Sequence, residues 1–135
     1  MSELNLEIIT PEKPVLKEQI ESVTIPGSQG SFQVLKDHAP LISSFEIGII
    51  KVKQGSTEKF YTTSGGTVEV NHNQVLVLSD SIEQITGIDK NRAEEAKQRA
   101  EERLKKQSDE NIDEARARAA LNRALNRLNA VKKYS

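Results

Sequence analysis

The segment Gly66–Ser79, GTVEVNHNQVLVLS, decides how the first two thirds of the chain are read. Valines alternate at 68 and 70 and again at 75 and 77, on either side of Asn71-His72-Asn73. Successive side chains of a strand point to opposite faces, and an asparagine-rich triplet is a turn signal. The stretch therefore predicts two short strands joined by a tight turn. The same alternation extends outward through residues 4–86, in Leu4, Leu6 and Ile8, in Val23 and Ile25, and in Ile47 and Ile49. Breakers separate these runs at Pro11 to Pro14, Pro26-Gly27, Gln54-Gly55-Ser56 and Ser64-Gly65-Gly66. Many short strands with tight turns predict an antiparallel sandwich or barrel. Leu41-Ile42, Ile47-Gly48-Ile49-Ile50 and Val75-Leu76-Val77-Leu78 are expected to supply much of an aliphatic core.

Beyond Gly87 the rules change. Residues 1–88 hold all seven glycines, all four prolines, one alanine (Ala39) and no arginine. Residues 89–135 hold seven arginines, nine alanines and neither glycine nor proline. Six lysines against eleven acids give the first part a charge of −5, and thirteen bases against nine acids give the second +4. The expected division is a β domain over 1–86 and a helical domain over 87–135.

Helix formers fill residues 89–107, with Asp89 as N-cap. Ala93, Ala96, Ala100 and Leu104 make one stripe. The apolar pattern stops around 106–111, and Asn111-Ile112-Asp113-Glu114 fits a capping box opening a second helix. Its stripe is Ala117, Leu121, Ala124, Leu125 and Leu128. The short connection predicts an antiparallel hairpin. Alanine removes little area from water, so two such helices are marginal without other support.

Enzymatic constellations are missing. Cysteine is absent, which removes disulfides, thiolate metal sites and a thiol nucleophile. His38 and His72 are far apart in turn-like contexts, with no metal-ligand spacing, so no metal and no catalytic residue is expected. Gly27-Ser28-Gln29-Gly30 and Gly65-Gly66 lack the Lys-Ser/Thr of a phosphate loop, and no nucleophile elbow occurs. Asp80 and Glu83 read as a solvated loop. The N-terminus lacks the basic and apolar regions of a secretory signal, and no apolar run approaches the roughly 20 residues of a membrane span.

The arginines remain. At about 100° per residue, Arg116, Arg123 and Arg127 fall within roughly 40° of one another on one helical face. Arg92, Arg99 and Arg103 flank the first stripe, while Glu94, Glu95, Glu101 and Glu102 lie on its far side. Clustered guanidiniums repel unless an anion sits among them. Nucleotide phosphate, an acidic protein surface and nucleic acid are the candidates, and the scarcity of aromatics disfavours nucleic acid. A solvated charged face is the plainer reading.

A resemblance narrows this. Pro26–Leu41, PGSQGSFQVLKDHAPL, resembles the signature of the epsilon subunit of F-type ATP synthases, roughly G-x-x-G-x-F-G-V-L-x-x-H-x-P-L. So do ITPEKPV near the start, SGGTVEV at 64–70, IDKNRAEEAKQRAEERL at 88–104 and RALNRL at 123–128. Gln33 departs from the pattern, which has glycine there. The resemblance implies a β-sandwich followed by a two-helix C-terminal domain. It implies a non-catalytic subunit of the central rotor of a proton-translocating ATP synthase, bound to the gamma subunit and the c-subunit ring. Gly30, Phe32, His38, Pro40 and Leu41 would lie near those contacts. The hairpin would inhibit ATP hydrolysis when extended toward the alpha and beta subunits and permit turnover when folded. No cofactor is implied, but ATP is implied as a regulatory ligand. The pattern I/L-D-x-x-R-A matches Ile88, Asp89, Arg92 and Ala93, and Glu83, Arg116, Arg123 and Arg127 complete the implied ATP site. The implied location is the cytoplasmic face of a bacterial inner membrane, held through the complex, with the stromal face of a thylakoid as second choice. The residues themselves leave open a free-standing ATP-sensing module, and an enzyme on a sandwich scaffold is disfavoured.

Overall fold

The computed structural model describes residues 4–85, 90–105 and 114–134, with the side chains of Lys90 and Tyr134 set aside. The chain divides into two compact units, Met1–Gln84 and Ile85–Ser135.

Ten strands build the first unit: β1 Leu4–Ile9, β2 Pro14–Ile20, β3 Ser22–Ile25, β4 Phe32–Leu35, β5 Leu41–Phe45, β6 Gly48–Gln54, β7 Thr57–Thr63, β8 Gly66–Asn71, β9 Gln74–Ser79 and β10 Ile82–Gln84. They form two five-stranded sheets, ordered β2-β1-β9-β8-β5 and β10-β7-β6-β3-β4. Leu4, Leu6, Ile8, Val68, Val70, Val75 and Val77 of the first sheet meet Val23, Ile25, Val34, Ile50, Val52 and Tyr61 of the second in one core. Burying each of these large aliphatic side chains is worth about 1.5–3 kcal/mol.

Every ladder is antiparallel except β1 with β9, which pair in parallel from Asn5↔Gln74 to Ile9↔Leu78. Sequence alternation fixes which face of a strand is apolar but not which distant strand becomes its neighbour. The three apolar runs expected to fill the core are split by the pleat. Ile50, Val75 and Val77 are buried, while Ile42 is 74% exposed, Leu78 46% and Ile47 38%. Only alternate side chains of a strand can enter one core.

Asn71-His72-Asn73 closes the β8–β9 hairpin with His72 at φ 48° and Asn73 at φ 61°. Two left-handed residues in a two-residue loop match the twist of the flanking strands, and asparagine tolerates that backbone. At the start of β8, a Cβ on Gly66 would run into the Leu78 carbonyl oxygen of the paired strand, so only glycine fits.

Polar groups tie the two sheets together at two places. In the interior, the Thr63 and Ser79 hydroxyls lie 2.7 Å apart, Gly65 N–H donates to Thr63 Oγ1, and Ser79 Oγ donates to the Ser81 carbonyl at 2.8 Å, with the Gly65 carbonyl also within reach at 3.2 Å. Near the rim, Lys59 Nζ on β7 donates to both carboxylate oxygens of Glu18 on β2, each at 3.2 Å. Burial, and then the Glu18 charge, push the phenol of Tyr61 above its ordinary value. A raised tyrosine pKa favours the protonated folded form. That contribution is complete below the ordinary value, near 10, and is lost as pH rises through the folded value. Tyr61→Phe removes this ionisation. Urea midpoints measured on either side of about pH 10 should therefore fall less in the variant than in the parent chain.

Candidate functional site

The helical unit contains α1 Lys90–Lys105 and α2 Glu114–Tyr134, which pack against each other. Ala93, Ala100, Ala117, Ala124 and Ala130 are buried, none more than 2% exposed. They are the fully buried side chains among the described residues of the two helices; Leu104, Leu121, Leu125 and Leu128 are half-buried. Spacings of seven residues, 93 to 100 and 117 to 124, keep each pair on one helical face. The helices meet over methyl groups while their leucines stay partly in water.

The predicted starts of both helices, Asp89 as N-cap and Asn111 in a capping box, fall outside the described residues, as does Ile88 of the implied ATP site. Within the described part of α2, Glu114 Oε1 accepts from Arg118 Nη2 at 3.4 Å. This pair is exposed on both sides and adds little.

Arg92, Arg99, Arg103, Arg116 and Arg123 are exposed, and Arg127 is half-buried. Arg92, Arg116 and Arg127 each interact with another group of the protein. A helical face can be counted from sequence, whereas the reach of a long guanidinium side chain to its neighbours cannot. Ala93 serves the seam rather than a surface, since it is 2% exposed.

Glu83 belongs to the other unit. It is half-buried on β10, paired with Thr62 of β7, and engages another group. β10 and β4 are the opposite edges of one sheet.

Gly30, Phe32, His38, Pro40 and Leu41 gather where β4, the edge of one sheet, leads to β5, the edge of the other. Gly30, at φ 121°, ends the turn after β3 in a conformation that suits glycine alone. Its N–H donates to the Gly27 carbonyl at 3.0 Å. Phe32 opens β4 opposite Ile25 and packs on the core. Gln33, at the position where the signature has glycine, points out from β4 opposite Thr24 and is exposed, so its side chain is accommodated. His38 N–H donates to the Leu35 carbonyl at 3.2 Å, and His38 Nδ1 lies 2.7 Å from the Ala39 carbonyl. Pro40 is exposed, and Leu41 is half-buried against the core.

Two residues stand beside this segment: Leu35, which the sequence reading does not single out, and Ile42, which it places in the core. Leu35 is 50% exposed and Ile42 is 74% exposed, one on each side of the connection. The signal was present: Val34-Leu35 and Leu41-Ile42 are adjacent apolar pairs, and a strand sends one of each pair outward. Ile42 borders an open groove of about 370 Å³, lined also by Pro40, Leu41 and Glu69.

Ala124→Leu would force an extra isobutyl group into the alanine seam. Overpacking of this kind destabilises by about 1–3 kcal/mol. Thermal unfolding followed by far-ultraviolet circular dichroism should show the helical signal melting earlier, while amide shifts of residues 4–84 stay in place.

The family model "ATP synthase, Delta/Epsilon chain, beta-sandwich domain" matches residues 3–85, and "ATP synthase, Delta/Epsilon chain, long alpha-helix domain" matches residues 87–132. The ATP synthase epsilon chain of Desulfitobacterium hafniense is 48% identical over 128 residues, covering 94% of this chain and 95% of that one. The ATP synthase epsilon chain of Symbiobacterium thermophilum is 44% identical over 131 residues, covering 96% and 94%. Among solved structures, a chain of the mitochondrial ATP synthase of Euglena gracilis superposes with a TM-score of 0.74 at 23% identity, covering 89% of this chain and 76% of that one. A chain of the Tetrahymena thermophila enzyme's central stalk and c-ring gives 0.62 at 13% identity, with 96% and 97% covered. At those identities the structural likeness speaks for the fold. With both domain models matched in order and relatives near half identity along almost the whole length, the chain belongs to the ATP synthase delta/epsilon chain family.

Proposed function

We propose that the protein is the epsilon chain of a bacterial F-type ATP synthase, a non-catalytic subunit of the central stalk that joins gamma to the c-subunit ring. The observation that carries this reading is the ordered match of both family domains across residues 3–85 and 87–132. The sandwich is the coupling element, and the β4–β5 segment with exposed Leu35 and Ile42 is its partner face. Among the described residues no helix is long and apolar enough to cross a membrane. Attachment to the cytoplasmic face of the membrane would then come through the complex.

The helical unit is the regulatory element in this reading. Extended along gamma toward the alpha and beta subunits, it blocks ATP hydrolysis; folded, it permits turnover. Among the described residues of its two helices the buried side chains are alanines, each contributing about 0.8 kcal/mol, so the cohesion of the helix pair is small. A ligand that prefers one arrangement shifts the population by its difference in affinity for the two. ATP, held by Asp89, Arg92, Arg116, Arg123 and Arg127, is the proposed ligand of the folded arrangement. An acidic face of the alpha and beta subunits is the proposed partner of the extended one.

Removal of residues 89–135 tests the regulation. The reconstituted enzyme should assemble and hydrolyse ATP severalfold faster than with the full chain. Equal rates would remove the inhibitory role and leave the stalk assignment standing. Titration of the full chain with ATP tests the ligand: amide shifts at Arg92, Arg123 and Arg127 are expected, and their absence at saturating nucleotide would rule out ATP.

A further inference from the structure

We propose that Asn73 is a positioning residue for the β4–β5 connection, holding it from the tip of a different hairpin. The inference rests on the reading of that connection as the partner face. Asp37 sits at the turn of the connection with φ 66°, a left-handed backbone that is uncommon outside glycine and that aspartate adopts more readily than most residues. It is braced there by a residue 36 positions away. Asp37 N–H donates to Asn73 Oδ1 at 2.6 Å, and Asn73 Nδ2 donates back to Asp37 Oδ1 at 3.2 Å.

Asn73 is itself held. Its φ of 61° belongs to the β8–β9 turn, and its carbonyl accepts from Asn5 N–H of β1 at 2.9 Å. The amide therefore projects from a fixed point of the β2-β1-β9-β8-β5 sheet. It reaches the connection that leaves the other sheet at Leu35. Next to Asp37, His38 N–H closes the turn onto the Leu35 carbonyl at 3.2 Å. The clasp thus sets the backbone from Leu35 to His38, between exposed Leu35 and exposed Ile42. A surface loop fixed before it meets its partner avoids the ordering entropy that a loose loop loses on binding.

The pair admits an exchange that retains both bonds. In D37N/N73D the carboxamide and the carboxylate trade places. The backbone N–H at 37 still has an acceptor, the second bond runs the other way, and net charge is unchanged. N73D alone sets two carboxylates face to face. Asn73→Gly keeps a residue at home in the left-handed turn and deletes the clasp.

The experiment measures binding of the full chain to a gamma–c-ring rotor stripped of this subunit, alongside urea unfolding and amide shifts. The expected result is that N73D and Asn73→Gly weaken rotor binding by roughly five- to tenfold. The amides of Asp37 and His38 should shift, the chain should remain folded under the assay conditions, and D37N/N73D should restore binding to near the parent value. A pair that served only stability would lower the unfolding midpoint and leave rotor binding untouched, which overturns the inference. If the parent chain binds and both single variants bind equally well, the inference fails and the stalk reading stands. If the parent chain itself does not bind, the stalk reading fails and the inference falls with it.

Discussion

Close packing over methyl groups is the constraint on which the helical unit depends. Where α1 and α2 meet, the buried positions are filled by Ala93, Ala100, Ala117, Ala124 and Ala130. Small side chains let two helices approach closely, but they withdraw little apolar surface from water. Each methyl contributes about 0.8 kcal/mol, against about 1.5–3 for a buried leucine or valine. Ordering a single backbone residue costs about 1–2 kcal/mol. A pair of helices held this way depends on modest contributions at every position. That is the physical basis on which the proposed regulation rests.

The sandwich is built on the opposite rule. Its core is filled with valine, isoleucine and leucine from both sheets, joined by one inward tyrosine and Phe45. The hydroxyls of Thr63 and Ser79 and the Gly65 amide bond to one another inside, and among the described residues no buried side-chain polar atom lacks a partner. Lys59 and Glu18 add a cross-sheet clamp near the rim. A rigid body of this type can carry a partner face whose shape is set in advance. The β4–β5 connection, crossing from one sheet edge to the other and tied back to the β8–β9 turn, has that character. In the proposed reading the two units divide the labour: one keeps its shape under load and the other changes.

Much of this was legible in the chain because the signals are local. Alternation in GTVEVNHNQVLVLS gives a hairpin with its turn at Asn71–Asn73, and the change from valine and glycine to alanine and arginine near Gly87 separates sheet from helix. What sequence could not supply is non-local. Nothing near Leu4 announces that β1 will lie parallel to β9, and nothing near Asp37 points to Asn73. Apolar dipeptides such as Leu41-Ile42 read as core because periodicity shows that a face exists without showing which neighbour turns outward. The arginine rows were visible as faces, but the interactions of Arg92, Arg116 and Arg127 within the protein depend on side-chain reach rather than spacing.

The difference in cohesion between the two units is most directly measured by native-state hydrogen exchange on the full chain, followed at rising sub-denaturing urea. Amides of α1 and α2 should open through local or subglobal events with little urea dependence, several kcal/mol below the global value, whereas those of Val23, Val68 and Val77 should exchange only through global unfolding, a separation on the order of that seen between foldons. If helix and strand amides instead share one opening free energy and one urea dependence, the alanine seam is as strong as the aliphatic core and the proposed regulatory freedom has no physical basis.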